Sequence, residues 1–408
     1  MPICSRLLSV GLAASAFSSV ASAERFTLTY VGHFPPAVTE AMNASGRIAG
    51  DFQYQGVTTA MRYQHELGGE NGRVPLPVPP GTTQSLAIGI NDAGTCVGRL
   101  SPPSGPSLAA IWSPTNELTQ LPMPPGTWSY NTASGINAAG TVCGAVTFAQ
   151  VGIDPQQAWR WTARGGYEML PKLTGTDALA WDINASGEVV GRADLSNNSY
   201  RMVIWGADGV IHNLGLVAGS TQTFGVANND AGQAVGTTNA NTDAILYTPG
   251  VGLVKLPDLG FKAAAFDINN EGWILGWADS APFETVPVVW GPDGVLHNIA
   301  SLAEAAYPGR FYFPGDYLVP IAIGDNNWIA VRGMDFTVSG DPRVLLFELT
   351  VAVPCLADLN GDGSVGAEDL AVLLGAWGEN PGSPADLSGD GAVSAADLAL
   401  LLGAWGPC

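Results

Sequence analysis

Short apolar segments separated by Gly- and Asn-containing turns make up most of the chain. Six of them share one pattern, in which an apolar strand is followed by Asn-x-x-Gly and a second apolar strand: AMNASGRIAG, GINDAGTCVG, GINAAGTVCG, DINASGEVVG, VANNDAGQAVG and DINNEGWILG. In such a turn the Asn side chain bonds the turn backbone, and Gly supplies the positive φ that closes it. The pattern predicts a series of β-hairpins.

The hairpins recur at nearly constant spacing. Successive leading asparagines are 48, 46, 47, 45 and 40 residues apart, and they are Asn43, Asn91, Asn137, Asn184, Asn229 and Asn269. A seventh, weaker copy is AIGDNNWIAV, in which Gly324 replaces the Asn and Asn327 replaces the Gly. Asn tolerates the left-handed conformation better than most residues, so the exchange keeps the turn.

Each repeat continues with two further strands. The third strand ends in an aromatic residue, which is in turn Tyr63, Trp112, Trp161, Trp205, Tyr247, Trp290 and Phe347. A fourth strand follows, as in GVIHNLG and GVLHNIA. Four short strands in about 45 residues is the size of a propeller blade, whereas a coil of a β-solenoid is about half as long. We therefore predict an all-β propeller of seven four-stranded blades over residues 24–353.

The two ends of the repeat region complement each other. RFTLTYVG, before the first Asn, is similar to a fourth strand, and the last repeat ends after its third strand, RVLLFELT. We expect the N-terminal strand to complete the last blade and to close the ring, which leaves no strand edge exposed.

Residues 26–350 resemble the HAF family of extracellular repeats, whose pattern is an Ile-Asn-x-x-Gly-x-Val-Val-Gly hairpin followed by an alanine-aromatic strand. The tripeptide His-Ala-Phe of that family is replaced here by Gln157-Ala158-Trp159 and Asp243-Ala244-Ile245. The resemblance implies a fold and export, and it implies no chemistry.

Composition narrows the range of partners. Acidic residues outnumber basic ones by 36 to 16, which gives a formal net charge of −20. Nucleic acids and anionic membranes attract basic surfaces, so we expect neither as a partner. The 52 Gly and 29 Pro are typical of short strands joined by tight turns.

Residues 1–23 have the features of a secretory signal peptide. Arg6 precedes an apolar stretch from Leu7 to Val20, and Ala21-Ser22-Ala23 supplies small residues for cleavage after Ala23. A core helix is the alternative interpretation. No later apolar run approaches the length of a membrane span, so we expect the mature chain to be soluble and secreted. We also expect it to be a monomer.

Four cysteines follow the predicted cleavage site, and they allow three pairings. Cys355 and Cys408 bracket the C-terminal segment, and we predict that they form a disulfide in an oxidising compartment. Cys96 and Cys143 lie in neighbouring repeats one position out of phase, so strands would point them to opposite faces. We predict two free, buried thiols.

The C-terminal segment contains two copies of one acidic loop, DLNGDGSVGAED and DLSGDGAVSAAD, which begin 28 residues apart. Oxygen ligands at positions 1, 3, 5, 7 and 12 of a twelve-residue loop are typical of Ca²⁺ sites, with Gly at position 6 for the sharp turn. These positions are Asp358, Asn360, Asp362, Ser364 and Asp369 in the first loop, and Asp386, Ser388, Asp390, Ala392 and Asp397 in the second. Ser364 and Ala392 contribute backbone carbonyls. We predict two Ca²⁺ ions, against the alternative of two acidic surface turns.

Residues 354–408 resemble a type I dockerin, because the loops end in Asp, are repeated in tandem and lack a preceding helix. That resemblance implies attachment to a cohesin-type or cell-surface scaffold protein. Cellulosomal dockerins carry hydroxyl residues at loop positions 10 and 11, where this chain has Ala367, Glu368, Ala395 and Ala396. After each loop, a helix is expected to bury its apolar residues in a shared core: Leu370, Leu373, Trp377, Leu398, Leu401 and Trp405.

The sequence contains no recognisable catalytic motif, and we assign no catalytic or cofactor-binding residue. The four histidines are His33, His65, His212 and His297, and the last two occupy one repeat position. The sequence has no nucleophile elbow, phosphate loop or H-E-x-x-H motif. Asp182 and Asp267 could act as a glycosidase pair only at a separation of about 5–10 Å, and their matching repeat positions favour a structural role.

Two functions remain open. The favoured hypothesis is a secreted, non-catalytic binding or structural protein, whose propeller presents a ligand or partner face and whose dockerin attaches it. The alternative is a polysaccharide-degrading glycoside hydrolase or lyase delivered by its dockerin, with a polysaccharide as the partner. Residues 301–317 depart furthest from the repeat, and we predict a binding loop there with Arg310, Tyr312 and Asp316.

Overall fold

The computed structural model describes residues 25–34, 38–64, 67, 72–126, 128–148, 155–239, 241–282, 284–315, 322–338, 342–352, 356–379 and 382–407. The chain divides into two compact units, one of residues 28–350 and one containing residues 351–408.

The larger unit is a propeller of seven antiparallel sheets, and blades 1 to 6 each use four consecutive strands. Blade 1 contains β2 (Val38–Met42), β3 (Ile48–Tyr54), β4 (Val57–Tyr63) and β5 (Arg73–Pro75). Blade 2 contains β6 (Gln84–Ile90), β7 (Cys96–Ser101), β8 (Leu108–Trp112) and β9 (Leu118–Gln120). Blade 3 contains β10 (Tyr130–Ile136), β11 (Val142–Thr147), β12 (Gln156–Thr162) and β13 (Gly166–Met169).

The next three blades repeat this order. Blade 4 contains β14 (Ala178–Ile183), β15 (Val189–Asp194), β16 (Tyr200–Trp205) and β17 (Ile211–Asn213). Blade 5 contains β18 (Thr223–Asn228), β19 (Ala234–Thr238), β20 (Ala244–Thr248) and β21 (Gly252–Lys255). Blade 6 contains β22 (Ala263–Ile268), β23 (Ile274–Ala281), β24 (Glu284–Trp290) and β25 (Leu296–Asn298).

Blade 7 is assembled from both ends of the repeat region. Its strands are β27 (Ala322–Ile323), β28 (Trp328–Asp335), β29 (Arg343–Ala352) and, on the outside, β1 (Arg25–Phe34). Helix α1 (Ile299–Ala306) and the short β26 (Phe311–Tyr312) precede it, and β26 pairs with β28. The predicted blade number and the closure by the N-terminal strand are both confirmed.

The core lies between neighbouring blades and is filled by the aromatic residues that end the third strands. Tyr63, Trp112, Trp205, Trp290 and Phe347 are fully buried, whereas Trp161 and Tyr247 are only partly buried. Three of the tryptophans also donate Nε1–H to a proline carbonyl in the connection from the preceding blade, at 2.7–2.8 Å. These bonds join blades 2, 4 and 6 to the connections that lead into them.

The inner strands of blades 1 to 6 each contain a β-bulge in their pairing with the second strand. The pairing register shifts between Ala87 and Gly89 in blade 2, and between Ala180 and Asp182 in blade 4. A Cβ atom added to Gly98 would lie 1.9 Å from the Leu86 carbonyl oxygen. This close approach explains the Gly that ends the second strand pattern of the repeat, because a larger residue would displace the backbone.

Cys96 and Cys143 are free and buried, as predicted. They belong to different interblade clusters, one with Trp112 and the other with Trp205. Cys355 and Cys408 lie outside the described residues, so their disulfide stays a prediction. Within the described ranges, no helix has the length and apolar character needed to cross a membrane.

The C-terminal unit contains α2 (Ala367–Gly375) and α3 (Ala395–Gly403), each after one acidic loop. Four two-residue strands connect the copies, because β30 (Ser364–Val365) pairs with β33 (Gly406–Pro407) and β31 (Gly378–Glu379) pairs with β32 (Ala392–Val393). The buried core consists of three matched pairs: Ala357 with Ala385, Val365 with Val393, and Leu373 with Leu401.

The predicted core of this unit is partly wrong. Leu370 and Leu398 are partly buried against it, but Trp377 and Trp405 are 49% and 50% exposed. Both tryptophans follow the last residue of their helix, so helical spacing no longer directs them to the buried face.

Candidate functional site

The two acidic loops are wound around their first aspartate. In the first loop, Asp358 Oδ1 accepts hydrogen bonds from the backbone N–H groups of Gly361 and Asp362, and Oδ2 accepts one from Gly363 at 2.9 Å. In the second, Asp386 accepts from the N–H groups of Asp390 and Gly391. These bonds close each loop around the carboxylate of its first residue.

The last aspartate of each loop connects the loop to its helix. Asp369 is fully buried and accepts N–H bonds from Asn360 at 3.0 Å and Gly366 at 2.7 Å. Asp397 accepts from Ser388 at 2.8 Å and Ser394 at 2.6 Å. The two carboxylates therefore cap the helix N-termini as well as ending the loops.

The same hydrogen bonds favour ionised carboxylates. The Gly366 N–H is the main reason that the pKa of Asp369 lies below its usual range. Burial acts against ionisation of Asp397, but the N–H groups of Ser388 and Ser394 outweigh it and lower its pKa to about 2. Both carboxylates are thus ionised at neutral pH.

The donor atoms fit a hard cation such as Ca²⁺. They are carboxylate, amide and hydroxyl oxygens together with the carbonyls of Ser364 and Ala392. Among the described residues, no three His, Cys, Asp or Glu side chains form a ready group for a metal ion. Each ligand set would therefore depend on its neutral oxygens as well as on its carboxylates.

The two helices expose matching apolar residues. These side chains, on the helices and just after them, are between 44% and 51% exposed. They are Val372, Leu374 and Trp377 in the first copy and Leu400, Leu402 and Trp405 in the second. Neither helix has a basic residue in its last turn or a hydroxyl residue at loop positions 10 and 11. Any partner of these surfaces would meet apolar side chains. Helical spacing alone did not reveal this exposure.

In the propeller, the leading asparagines form a ladder from blade to blade that sequence reasoning missed. The side-chain N–H of each Asn donates to the backbone carbonyl of the next one at 3.0–3.1 Å. The series runs in order through Asn43, Asn91, Asn137, Asn184, Asn229 and Asn269. Asn269 donates to Gly324 O at 3.2 Å. The ladder ends there because Gly324 has no side chain to continue it.

The ladder surrounds one end of the central channel, where the inner strands of all seven blades line a cavity of about 480 Å³. Among its described lining residues the only charged side chains are carboxylates: Asp92, Asp182, Asp230, Asp267 and Asp325. This end of the channel therefore favours cations over anions.

Two of these carboxylates join neighbouring blades. Asp182 accepts N–H bonds from Ile183 at 2.8 Å and, in blade 5, from Asn228 at 3.1 Å. Asp267 accepts from Ile268 at 2.9 Å and, in blade 7, from Ile323 at 2.8 Å. Burial raises the pKa of both carboxyl groups, that of Asp267 to about 7. The hydrogen bonds agree with the structural role inferred from their repeat positions.

The predicted binding loop at residues 301–317 is largely part of the fold. Arg310 forms a salt bridge with buried Asp335 at 2.9 Å and stacks on the ring of Tyr30 in β1, 4.2 Å from its centroid. Tyr307 Oη accepts a hydrogen bond from Tyr30 N at 2.8 Å. Tyr312 is 52% exposed, whereas Asp316 lies outside the described residues. Arg310 thus holds the closing strand in place.

Residues 356–403 match the dockerin type I domain family, and type I dockerin domains bind calcium. The match does not extend to the propeller, so the HAF-type repeat stays a prediction. No curated protein matches the chain.

Solved structures with a similar fold include an inactive variant of virginiamycin B lyase from Staphylococcus aureus with quinupristin, at 8% identity and a TM-score of 0.49 over 79% of this chain and 99% of that one. A streptogramin B lyase is 10% identical, with a TM-score of 0.47 over 80% and 98%. A puromycin hydrolase is 11% identical, with a TM-score of 0.47 over 78% and 56%. Likeness at this level carries no activity to this chain.

Proposed function

We propose that this protein is a secreted, non-catalytic binding protein that is attached to a cohesin-type or cell-surface scaffold by its C-terminal module. The observation that carries the proposal is the pair of calcium-type loops within a segment that matches the dockerin family. One Ca²⁺ ion binds each loop through the five predicted ligands of that loop. The propeller supplies the binding function.

The matching exposed residues of α2 and α3 support an apolar docking surface. Trp377 and Trp405 are half exposed although neither is needed to fill the core. Tryptophans of this kind contribute strongly to protein interfaces. Since the hydroxyl residues of cellulosomal dockerins are absent, we propose that the partner is recognised through apolar contact.

The test uses the full mature chain, immobilised in calcium or in EDTA, with a recombinant type I cohesin and with surface and secreted fractions of the producing organism. The proposal predicts that a scaffold protein with a cohesin domain is retained in calcium and released by EDTA. The double variant Asp358→Ala/Asp386→Ala should lose the partner, whereas Asp293→Ala, in an exposed propeller turn, should keep it. Equal retention in EDTA, or no retained cohesin, would show that the module is not a docking device.

The alternative function is degradation of a polysaccharide. It is favoured by one observation, that Asp182 and Asp267 line the same cavity and that the pKa of Asp267 is raised to about 7, the range of a general acid. Their backbone hydrogen bonds favour the structural role. Depolymerisation of a glycan panel by the mature chain, abolished in Asp267→Asn, would establish the enzyme instead.

A further inference from the structure

A second cavity, of about 310 Å³, lies in the central channel among the inner strands of blades 2, 3 and 4. Tyr130 begins β10, Thr147 ends β11 and Gln156 begins β12. These strand ends lie opposite the Asn-x-x-Gly turns, so the cavity faces the end of the channel away from the asparagine ladder. Trp181 lines both cavities.

Two aromatic side chains form walls of this cavity without being buried by the fold. Tyr130 is 47% exposed and Trp181 is 41% exposed. Trp181 is the bulged residue of its inner strand, and the same position holds Ile88 in blade 2 and Ser134 in blade 3. The repeat does not require a tryptophan there. Flat, half-exposed aromatic rings in a concave site are suited to stacking against a ligand.

The charge of this cavity is opposite to that of the ladder end. Arg99 is the one charged side chain among its described lining residues, and the Arg99 Nε is buried without a hydrogen-bond partner within the described chain. The equivalent position holds Ala145 in blade 3 and Thr237 in blade 5, but Arg192 in blade 4 and Arg332 in blade 7, so the repeat tolerates the guanidinium without requiring it. The positive charge of Arg99 acts to lower the pKa of the Asp51 carboxyl group, and the charge of Arg332 does so more strongly. Arg99 is itself only partly buried, so its terminal nitrogens suit the carboxylate of a ligand in the cavity.

The remaining polar side chains suit a ligand with several hydroxyl groups. Thr132 and Thr147 line the cavity with short hydroxyls, whereas the Ser134 hydroxyl already donates to the Ala180 carbonyl at 2.8 Å and can only accept from a ligand. Gln156 is oriented by a hydrogen bond from Arg192 Nη2 to its Oε1 at 3.3 Å. Hydroxyl and amide groups both donate and accept, as sugar hydroxyls do. A purely aromatic carboxylate would leave most of these groups without a ligand partner.

We propose that this cavity binds an acidic sugar unit, such as a uronic acid of a polysaccharide, with its ring against Trp181 and Tyr130 and its carboxylate against Arg99. The inference rests on the proposed function of the propeller as the binding part of the protein. It does not depend on the dockerin module.

The test is calorimetric titration of the full mature chain in calcium with D-galacturonate, D-glucuronate and a short oligogalacturonide. Galactose and glucose are the neutral controls, and benzoate is the control for a simple aromatic carboxylate. We expect the uronates to bind at least tenfold more tightly than the neutral sugars and benzoate, with affinity that falls as salt is raised.

Variants separate the two contacts. Arg99→Gln should weaken uronate binding at least tenfold and leave neutral sugars unchanged, and Trp181→Leu should weaken both. Arg164→Gln, on an exposed turn of blade 3, is the matched control and should bind normally. Circular dichroism confirms that each variant is folded.

Four results would overturn the proposal. They are no binding of any uronate, equal binding of neutral sugars, full uronate affinity in Arg99→Gln, and binding of benzoate as tight as that of the uronates, which would favour an aromatic acid. Cohesin capture is measured separately. Failure of uronate binding would not affect the proposed docking function, and failure of cohesin capture would not affect the proposed sugar site.

Discussion

The propeller and the C-terminal module are both built by repetition, but they are stabilised in different ways. Neighbouring blades exchange asparagine hydrogen bonds and pack large aromatic residues such as Trp205 and Trp290 between them. The module buries a core of six alanine, valine and leucine side chains and organises its loops around carboxylates. Repetition gives a self-sufficient fold only when the copies bury enough apolar surface against one another. We therefore expect the smaller unit to depend on bound Ca²⁺ for its stability.

The largest expected effect comes from removing the first loop ligands. The double variant Asp358→Ala/Asp386→Ala should unfold α2 and α3 in calcium, because each aspartate is a predicted ligand and also accepts the hydrogen bonds that close its loop. Circular dichroism at 222 nm should show the loss of helix, and the propeller should keep its separate melting transition. An unchanged spectrum and an unchanged calcium stoichiometry would refute the ligand assignment. Asp293→Ala is the control.

Truncation of a tryptophan should affect the two regions very differently. Trp205→Ala should lower the free energy of unfolding of the propeller by about 3–5 kcal/mol, because it leaves a cavity between blades. Trp377→Ala, at a half-exposed position, should change the stability of the module by less than about 0.5 kcal/mol. Urea unfolding followed by circular dichroism measures both. Similar losses would mean that Trp377 belongs to a core after all.

The asparagine ladder should contribute less than the aromatic core. In Asn137→Ala, the Asn184 carbonyl loses one of its two donors and keeps the Gly187 N–H, while the Thr141 N–H loses its side-chain acceptor; both lost bonds are 3.0 Å long in the native protein. We expect a loss of about 1–3 kcal/mol in the free energy of unfolding. Asn197→Ala, in an exposed turn, should be nearly neutral. If the two variants unfold at the same urea concentration, the ladder contributes nothing measurable.

The smallest effect should be a pH dependence that differs between the regions. The folded-state pKa of Asp267 is raised to about 7, so ionisation of this carboxyl group disfavours the native propeller. Stability should therefore fall as pH rises from about 4 towards 7, by about 1 kcal/mol, since the side chain is partly accessible from the channel. Melting curves of Asp267→Asn should show a flatter pH profile over this range. A profile identical to that of the unmodified chain would contradict the shift.

Much of the fold could be predicted because its signals are local. The Asn-x-x-Gly turns fixed the hairpins and the blade number, and the fourth-strand likeness of RFTLTYVG predicted the closing strand β1. The calcium ligands between Asp358 and Asp397 were predicted because calcium loops place their ligands at fixed intervals, and they stay a prediction.

The missed features depend on contacts between distant residues. The asparagine ladder joins positions 40 to 48 residues apart, which no hairpin pattern reveals. Trp181 faces the channel because of a bulge, and Trp377 is exposed because its helix ends two residues earlier. Arg310 was expected to contact a ligand, but Asp335 and Tyr30 bind it within the fold.

Hydrogen exchange of the full chain, compared in calcium and in EDTA by mass spectrometry, tests the central claim most directly. Peptides from residues 356–407 should lose protection in EDTA, and peptides from residues 38–338 should keep theirs. Unchanged protection in both regions would contradict the claim that calcium completes the fold of the docking module. Loss in both would contradict the claim that the propeller is stable by itself.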